Sequence, residues 1–172
     1  VLATRNLEGD MGKIFCLMGK SSSGKDTIFK LLKEDKELML KPVIPYTTRP
    51  KRNNEENGVE YFFINEKTFR SYCESGKIIE KRQYKTINGI WHYCTVDDGQ
   101  IDLLNANYLL IATLEAYKSL QRYFGTDNVV PVYITADDDI RLERALNRER
   151  KQENPNYDEL CRRFLSDNAD FS

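Results

Sequence analysis

"GKSSSGKDT", residues 19–27, follows the apolar run Ile14-Phe15-Cys16-Leu17-Met18 and precedes Ile28, Leu31 and Leu32, which recur at helical spacing. A continuous apolar run closed by a glycine predicts a buried parallel strand. The spacing after it predicts a helix over Thr27 to Glu34 that begins near Lys25. In the order strand, loop, helix, the N–H groups of the loop and the positive end of the helix converge on phosphate oxygens. Gly19 and Gly24 bracket the loop, Lys20, Ser21, Ser22 and Ser23 fill it, and Lys25 would reach the β- and γ-phosphates as a point charge. The pattern G-x-x-x-x-G-K-[ST] fails at one place, where Asp26 replaces the hydroxyl. An ordinary corner between strand and helix that happens to hold Gly and Ser is the bland alternative. The flanking strand and helix favour a phosphate loop.

Working outward, strands and helices alternate. Val43-Ile44 reads as a short or edge strand between Pro42 and Pro45. The polar stretch Thr47 to Gly58 leads to a strand over Val59 to Ile64, then to a helix capped by Asn65 and stopped at Gly76. Ile78 to Thr86 and Ile90 to Val96 read as a hairpin turning at Asn88-Gly89. Next come a helix at Ile101 to Leu104, a strand over Tyr108 to Ala112, a helix over Glu115 to Phe124 and a strand over Val129 to Ile134. A charged helix over Asp138 to Arg150, a loop and a last helix over Asp158 to Asn168 complete the chain. The alternation predicts an α/β fold with a parallel sheet flanked by helices. Residues 46–96 form a small strand-rich lobe between the two parts of the core, 11–45 and 97–172.

The 172 residues suit one domain, and with 40% apolar and 31% charged residues a core can form. The formal net charge of −1 draws in no polyanion, which argues against nucleic acid as a partner. No stretch has the length of a membrane span. Cys16, Cys73, Cys94 and Cys161 show no metal-like spacing and read as reduced thiols suited to the cytoplasm. His92 stands alone, so a zinc site is not expected. Residues 1–10 precede Met11 without periodicity and read as a cloning remnant or a genuine extension. The chain stops at Ser172 just after a helix, and the alternation leads one to expect a further strand and helix beyond it.

Basic residues cluster at Arg49, Lys51 and Arg52, at Arg141, Arg144, Arg148 and Arg150, and at Arg162 and Arg163. Each cluster alone reads as a solvated face. Beside a phosphate loop they gain a purpose, because phosphoryl transfer develops charge that guanidinium forks stabilise. Tyr61 and Tyr93 are either packing aromatics of a small sheet or phenolic donors.

In order, "GKSSSGK", "TTRPKRNNEENGVEYFF", "IIE" and "YCT" resemble the guanylate kinase family, over about Gly12 to Arg163. The most specific part is Thr47-Thr48-Arg49, then Arg52, Glu55, Asn57-Gly58 and Tyr61. The resemblance implies a P-loop kinase core with a helical lid over about 148–162, and ATP-dependent phosphorylation of GMP with Mg2+. It implies that Gly19, Ser21, Ser22, Ser23, Gly24, Lys25, Asp26 and Thr27 hold ATP. Arg49, Arg52, Tyr61 and Tyr93 would hold the phosphate of GMP, and Glu80 and Thr95 its base. Lys25 and Arg163 would act on the transferring group. The companion of Arg163 falls near Ala145, so Arg144 or Arg148 stands in for it.

Several positions depart from the family pattern. Asp26 replaces a serine that ligates magnesium, and becomes the candidate metal ligand. Pro45 replaces a hydroxyl that touches the base, and Cys94 replaces a glycine. Two aspartates, one for guanine and one for the metal's water shell, would fall at Ile111 and Thr113, and the hairpin is a few residues longer. Two rival readings follow: a kinase for another nucleoside monophosphate or small phosphorylated metabolite, and a non-catalytic relative that binds a phosphorylated peptide.

Overall fold

A computed structural model describes residues 11–52, 55–86 and 89–171. Its centre is a four-stranded sheet of β1 (Ile14–Met18), β2 (Lys41–Pro42), β7 (Tyr108–Ile111) and β8 (Val129–Tyr133), in the order β2-β7-β1-β8. Every pairing in it is parallel, with Ile14 opposite both Tyr108 and Val129. Such a sheet needs cover on both faces, which explains why β1 is an unbroken apolar run. Ile14, Cys16 and Leu17 have no exposed surface. Pro42 and Pro131 lie in the two outer strands, where a missing N–H costs least.

Helix α1 (Lys25–Glu34) packs on β7 and β1, and α3 (Leu114–Phe124) packs on β8. Leu120 of α3 is fully buried in the main core with Ile14, Cys16, Tyr108 and Leu110. Helix α4 (Asp138–Glu149) lies against α5 (Tyr157–Asp170).

Residues 46–96 build a second sheet from β3 (Tyr46–Thr47), β4 (Phe62–Phe63), β5 (Ile78–Thr86) and β6 (Gly89–Val96), ordered β4-β3-β6-β5. Helix α2 (Glu66–Glu74) joins β4 to β5, and the Asn65 side chain accepts a hydrogen bond from the Thr68 N–H as its cap. Strand β5 ties the two sheets together by its alternation. Ile78 packs in the small core of Tyr46, Phe69, Cys94 and Val96, while Ile79 packs against the main one.

Three expected elements differ. The paired residues of β2 are Lys41–Pro42 rather than Val43-Ile44, although the Val43 N–H still bonds Leu109 O at 2.9 Å. Of the strand expected over Val59 to Ile64, only Phe62–Phe63 pairs. Gly58 takes φ +84° and its N–H bonds Tyr61 O at 2.8 Å, so the chain turns where a strand was expected. The helix expected at Ile101 to Leu104 is a turn. The Asp102 carboxylate accepts from the Leu104 N–H at 3.0 Å and the Asn105 side chain at 2.6 Å, which offers the backbone a local alternative to a helix. Asn88 of the expected hairpin turn lies outside the described residues, but the strands on either side pair as expected, from Glu80–Thr95 to Thr86–Gly89.

Candidate functional site

The loop between β1 and α1 has a backbone that side chains can hardly follow. Gly19 has φ +146°, and a Cβ there would lie 2.3 Å from Ile134 O. Gly24 precedes α1 in the left-handed region at φ +102°. Ser22 has φ +62°, uncommon for a residue with a side chain. Lys25 folds over this loop, with Nζ donating to Gly19 O at 2.6 Å and Lys20 O at 2.9 Å. Burial lowers its pKa, the Asp26 and Asp167 carboxylates work against that, and Arg141 adds to it. The Ser22 and Ser23 hydroxyl oxygens are buried with no hydrogen-bond partner among the described residues. A buried unpaired hydroxyl costs about 1–3 kcal/mol, so this loop is built at some expense to stability.

Asp26 is exposed in the first turn of α1, where a carboxylate favours the helix dipole, and Thr27 is exposed beside it. At the end of β7, the Thr113 hydroxyl accepts the Ala116 N–H at 3.2 Å and caps α3. No cluster of three or more His, Cys, Asp or Glu with metal-binding arrangement occurs among the described residues. Asp26 brings a carboxylate beside the hydroxyls of Ser21, Ser22 and Ser23.

Facing the loop is a basic cavity of about 90 Å³, lined by Ser21, Ser22, Arg141, Arg148, Arg163 and neighbouring residues. Arg141 is 1% exposed. Its Nε donates to Ser21 O at 3.1 Å and its Nη2 to Asp167 at 3.3 Å, and it also bonds Asp138. Its guanidinium stands 4.8 Å from the centre of the Phe164 ring. Arg144 donates to Ser22 O at 3.3 Å and Ser23 O at 3.4 Å. Arg163 is more exposed and donates to Glu159 at 2.8 Å. Hydrogen bonding from Arg162, with Arg163 adding to it, holds the Glu159 carboxyl down to about 2 against the opposing effect of burial. The chain thus gathers Arg144, Arg148 and Arg163 around the loop, and puts Arg141 at the centre.

The second group of candidates lies on the small sheet. Glu80 and Thr95 face each other across β5 and β6, both buried, and the Thr95 hydroxyl donates to Glu80 Oε1 at 3.0 Å. Arg82 donates to both Glu80 oxygens, from Nε at 3.1 Å and from Nη2 at 3.3 Å. Tyr93 lies opposite Arg82, and its ring meets the Tyr61 ring edge-on at 5.7 Å. Arg49 stacks over Tyr61 at 5.5 Å, and its fork is held by Glu55 at 2.7 and 3.0 Å. Hydrogen bonding from Arg49 lowers the Glu55 pKa most, with burial opposing. Burial raises the Tyr61 pKa first, then Tyr93, while Arg82 and Arg49 oppose. Arg52 is exposed, and its backbone N–H bonds Glu55 at 2.8 Å. Arg49, Tyr61, Tyr93, Glu80 and Thr95 therefore form one connected surface.

The sequence points to no role for Arg82 or Asp167, places Arg141 only within a basic cluster, and marks Glu55 only as part of the family resemblance. Two-residue alternation along β5 puts Arg82 on the face of Glu80, and a three-to-four-residue stripe puts Arg141 with Arg144, Ala145 and Arg148. Those signals were present. Nothing local marks Asp167, whose carboxylate accepts the Ser21 N–H at 2.6 Å across the fold.

The model of the guanylate kinase family matches residues 11–163. The guanylate kinase of Mesomycoplasma hyopneumoniae (strain 7448) is 44% identical over 70 residues, which is 41% of this chain and 36% of that protein. The chain thus spans little more than a third of that relative's length in the match. The guanylate kinase of Mycoplasma mobile is 34% identical over 151 residues, covering 83% of this chain and 73% of the relative. Among solved structures, guanylate kinase from Anaplasma phagocytophilum superposes with a TM-score of 0.59 at 24% identity, covering 80% of this chain and 68% of that one. This last likeness concerns the fold.

Proposed function

Because the chain belongs to the guanylate kinase family, we propose that it transfers the γ-phosphoryl group of ATP to GMP, giving ADP and GDP. The observation that carries the choice of acceptor is Glu80, a buried carboxylate supported by Thr95 and Arg82 on the surface that also holds Arg49, Tyr61 and Tyr93. Guanine presents two adjacent donors, at N1 and at the 2-amino group, and an ionised carboxylate accepts both. Adenine lacks that pair and would leave the buried carboxylate unanswered, the kind of mismatch that discriminates strongly. The acceptor phosphate would meet Arg49 once Glu55 yields its fork, together with Arg52, Tyr61 and Tyr93.

On the donor side, the Gly19–Gly24 backbone and the start of α1 would cradle the phosphates of ATP. Lys25 would leave the carbonyls of Gly19 and Lys20 for the β- and γ-phosphates. Arg141, Arg144, Arg148 and Arg163 would surround the transferring group, where preorganised cations act most strongly with water excluded. Magnesium, when bound, neutralises phosphate charge, and the exposed Asp26 fits a cation that takes one or two carboxylates and keeps several waters. Residues 148–162, which take in the end of α4, the connection 150–156 and the first turns of α5, would serve as the lid.

A coupled assay of ATP with GMP, AMP, UMP and CMP tests the reading. Turnover with GMP far above the others is expected. A preference for another monophosphate would transfer the chain to the first rival reading, and a lack of any nucleotide binding to the second. Among the described residues no helix is long and apolar enough to cross a membrane.

A further inference from the structure

Glu80 carries more bonds than a base-reading carboxylate should. An ionised carboxylate has about four lone-pair sites, two on each oxygen. Oε1 already accepts from Thr95 at 3.0 Å and from Arg82 Nη2 at 3.3 Å, and Oε2 accepts from Arg82 Nε at 3.1 Å. One site remains, on Oε2. Guanine needs one on each oxygen. Reading both of its donors therefore requires a bond to be released on Oε1, and the contact from Arg82 Nη2 is the longer of the two there.

Arg82 cannot move far. It sits on β5 two residues from Glu80 and opposite Tyr93, its side chain is 16% exposed, and its charge acts on Tyr61. A guanidinium displaced along the base edge from N1 meets O6, the acceptor next to N1–H. Arginine paired with guanine O6 and N7 is a favoured contact wherever guanine is read by side chains. Pro45, which precedes Tyr46 of the same small sheet, carries neither a hydroxyl nor an N–H and so can supply no donor for O6.

Resting on the reading of GMP as acceptor, we propose that Arg82 is a specificity-determining residue: the base edge replaces it on Glu80 Oε1, and Arg82 then donates to O6. Glu80 and Arg82 together present acceptor, acceptor and donor to the donor, donor and acceptor of guanine. Adenine would set its 6-amino group against the guanidinium donors, so the same residue also repels the commonest competitor.

The test is a binding cycle by calorimetry with GMP, 6-thio-GMP and IMP, on the parent, Arg82→Met and Arg82→Lys. The thio analogue keeps both donors and weakens the acceptor at position 6; IMP keeps O6 and loses the 2-amino group. The parent should prefer GMP to 6-thio-GMP by about tenfold, the value of a charged hydrogen bond at its lower end. In Arg82→Met that preference should fall below about threefold, while the preference of GMP over IMP, which Glu80 sets, stays. Arg82→Lys keeps a charge beside Glu80 should methionine unfold the lobe, and lacks the planar fork, so its preference should also drop. An unchanged thio preference in either folded variant overturns the role of Arg82. So does tighter GMP binding by Arg82→Met, which would make it a mere competitor for Glu80, and so does equal weakening of all three ligands. A parent that binds no guanine nucleotide overturns the acceptor assignment itself, and Arg82 with it.

Discussion

Lys25 and Asp26 stand side by side at the entry to α1 with opposite charges and different burial. Lys25 already spans two loop carbonyls, so its ammonium is held in place before any phosphate arrives. Asp26 points to solvent. At about 4 Å in water, two like unit charges repel by about 1 kcal/mol, and by about 4 kcal/mol at an effective dielectric of 20. Its exposure places Asp26 nearer the first figure. Asp26→Ser should therefore strengthen metal-free ATP binding by about fivefold and make binding depend less on magnesium. It should also lower turnover, because the Thr113 hydroxyl is committed to capping α3 and brings no carboxylate. Titration of ATP with and without magnesium for both proteins checks this. The same magnesium dependence in both would reduce Asp26 to a helix-dipole residue.

At the scale of elements, the strand-loop-helix unit was legible because its signals agree: an apolar run of strand length, glycines where φ is positive, and helical spacing after them. Gly19 makes the point most sharply. Gly19→Ala should disturb the loop severely, since φ +146° suits glycine and the new Cβ would meet backbone 2.3 Å away. Loss of ATP binding with little change in circular dichroism is the expected result, and binding within a few-fold of the parent would show that the loop does not need its present path. The turn at Ile101 to Leu104 shows the opposite case. Three apolar residues at helical spacing point to a helix, but the Asp102 carboxylate accepts from the Leu104 N–H and the Asn105 side chain and holds the backbone in a turn. The strand expected over Val59 to Ile64 is reduced to Phe62–Phe63 for the same kind of reason. Its aromatic β-formers are real, but Gly58 and the side-chain bonds of Asn57 and Glu60 hold a turn over its first half.

Across the whole molecule, the parallel core and the small sheet were readable from alternation, whereas the partners that bridge distant elements were not. Arg141 to Ser21 and Asp167 to Ser21 are separated by 120 and 146 residues, and no local period reports such contacts. The two cores also make a chemical prediction. Burial pushes the thiols of Cys16, in the main core, and Cys94, in the small one, up to about 12. A free thiol ionises near pH 8.5. The unfolded chain thus loses these protons first, so the contribution of both residues is full below about pH 8.5 and is lost as pH rises towards 12. In the native protein at pH 8, a thiol reagent should label exposed Cys161 fast, half-buried Cys73 more slowly, and Cys16 and Cys94 only on unfolding. Fast native labelling of either buried thiol would show that its core opens readily.

In the proposed function the Gly19–Lys25 loop and the Glu80 surface serve one reaction. The most direct measurement is product analysis of a mixture of the protein, ATP, magnesium and GMP. ADP and GDP should form in equal amounts, dependent on GMP, with turnover reduced on the order of a hundredfold in a folded Lys25→Ala variant. ADP formed without GDP, or GDP formed at an undiminished rate by that variant, would contradict it.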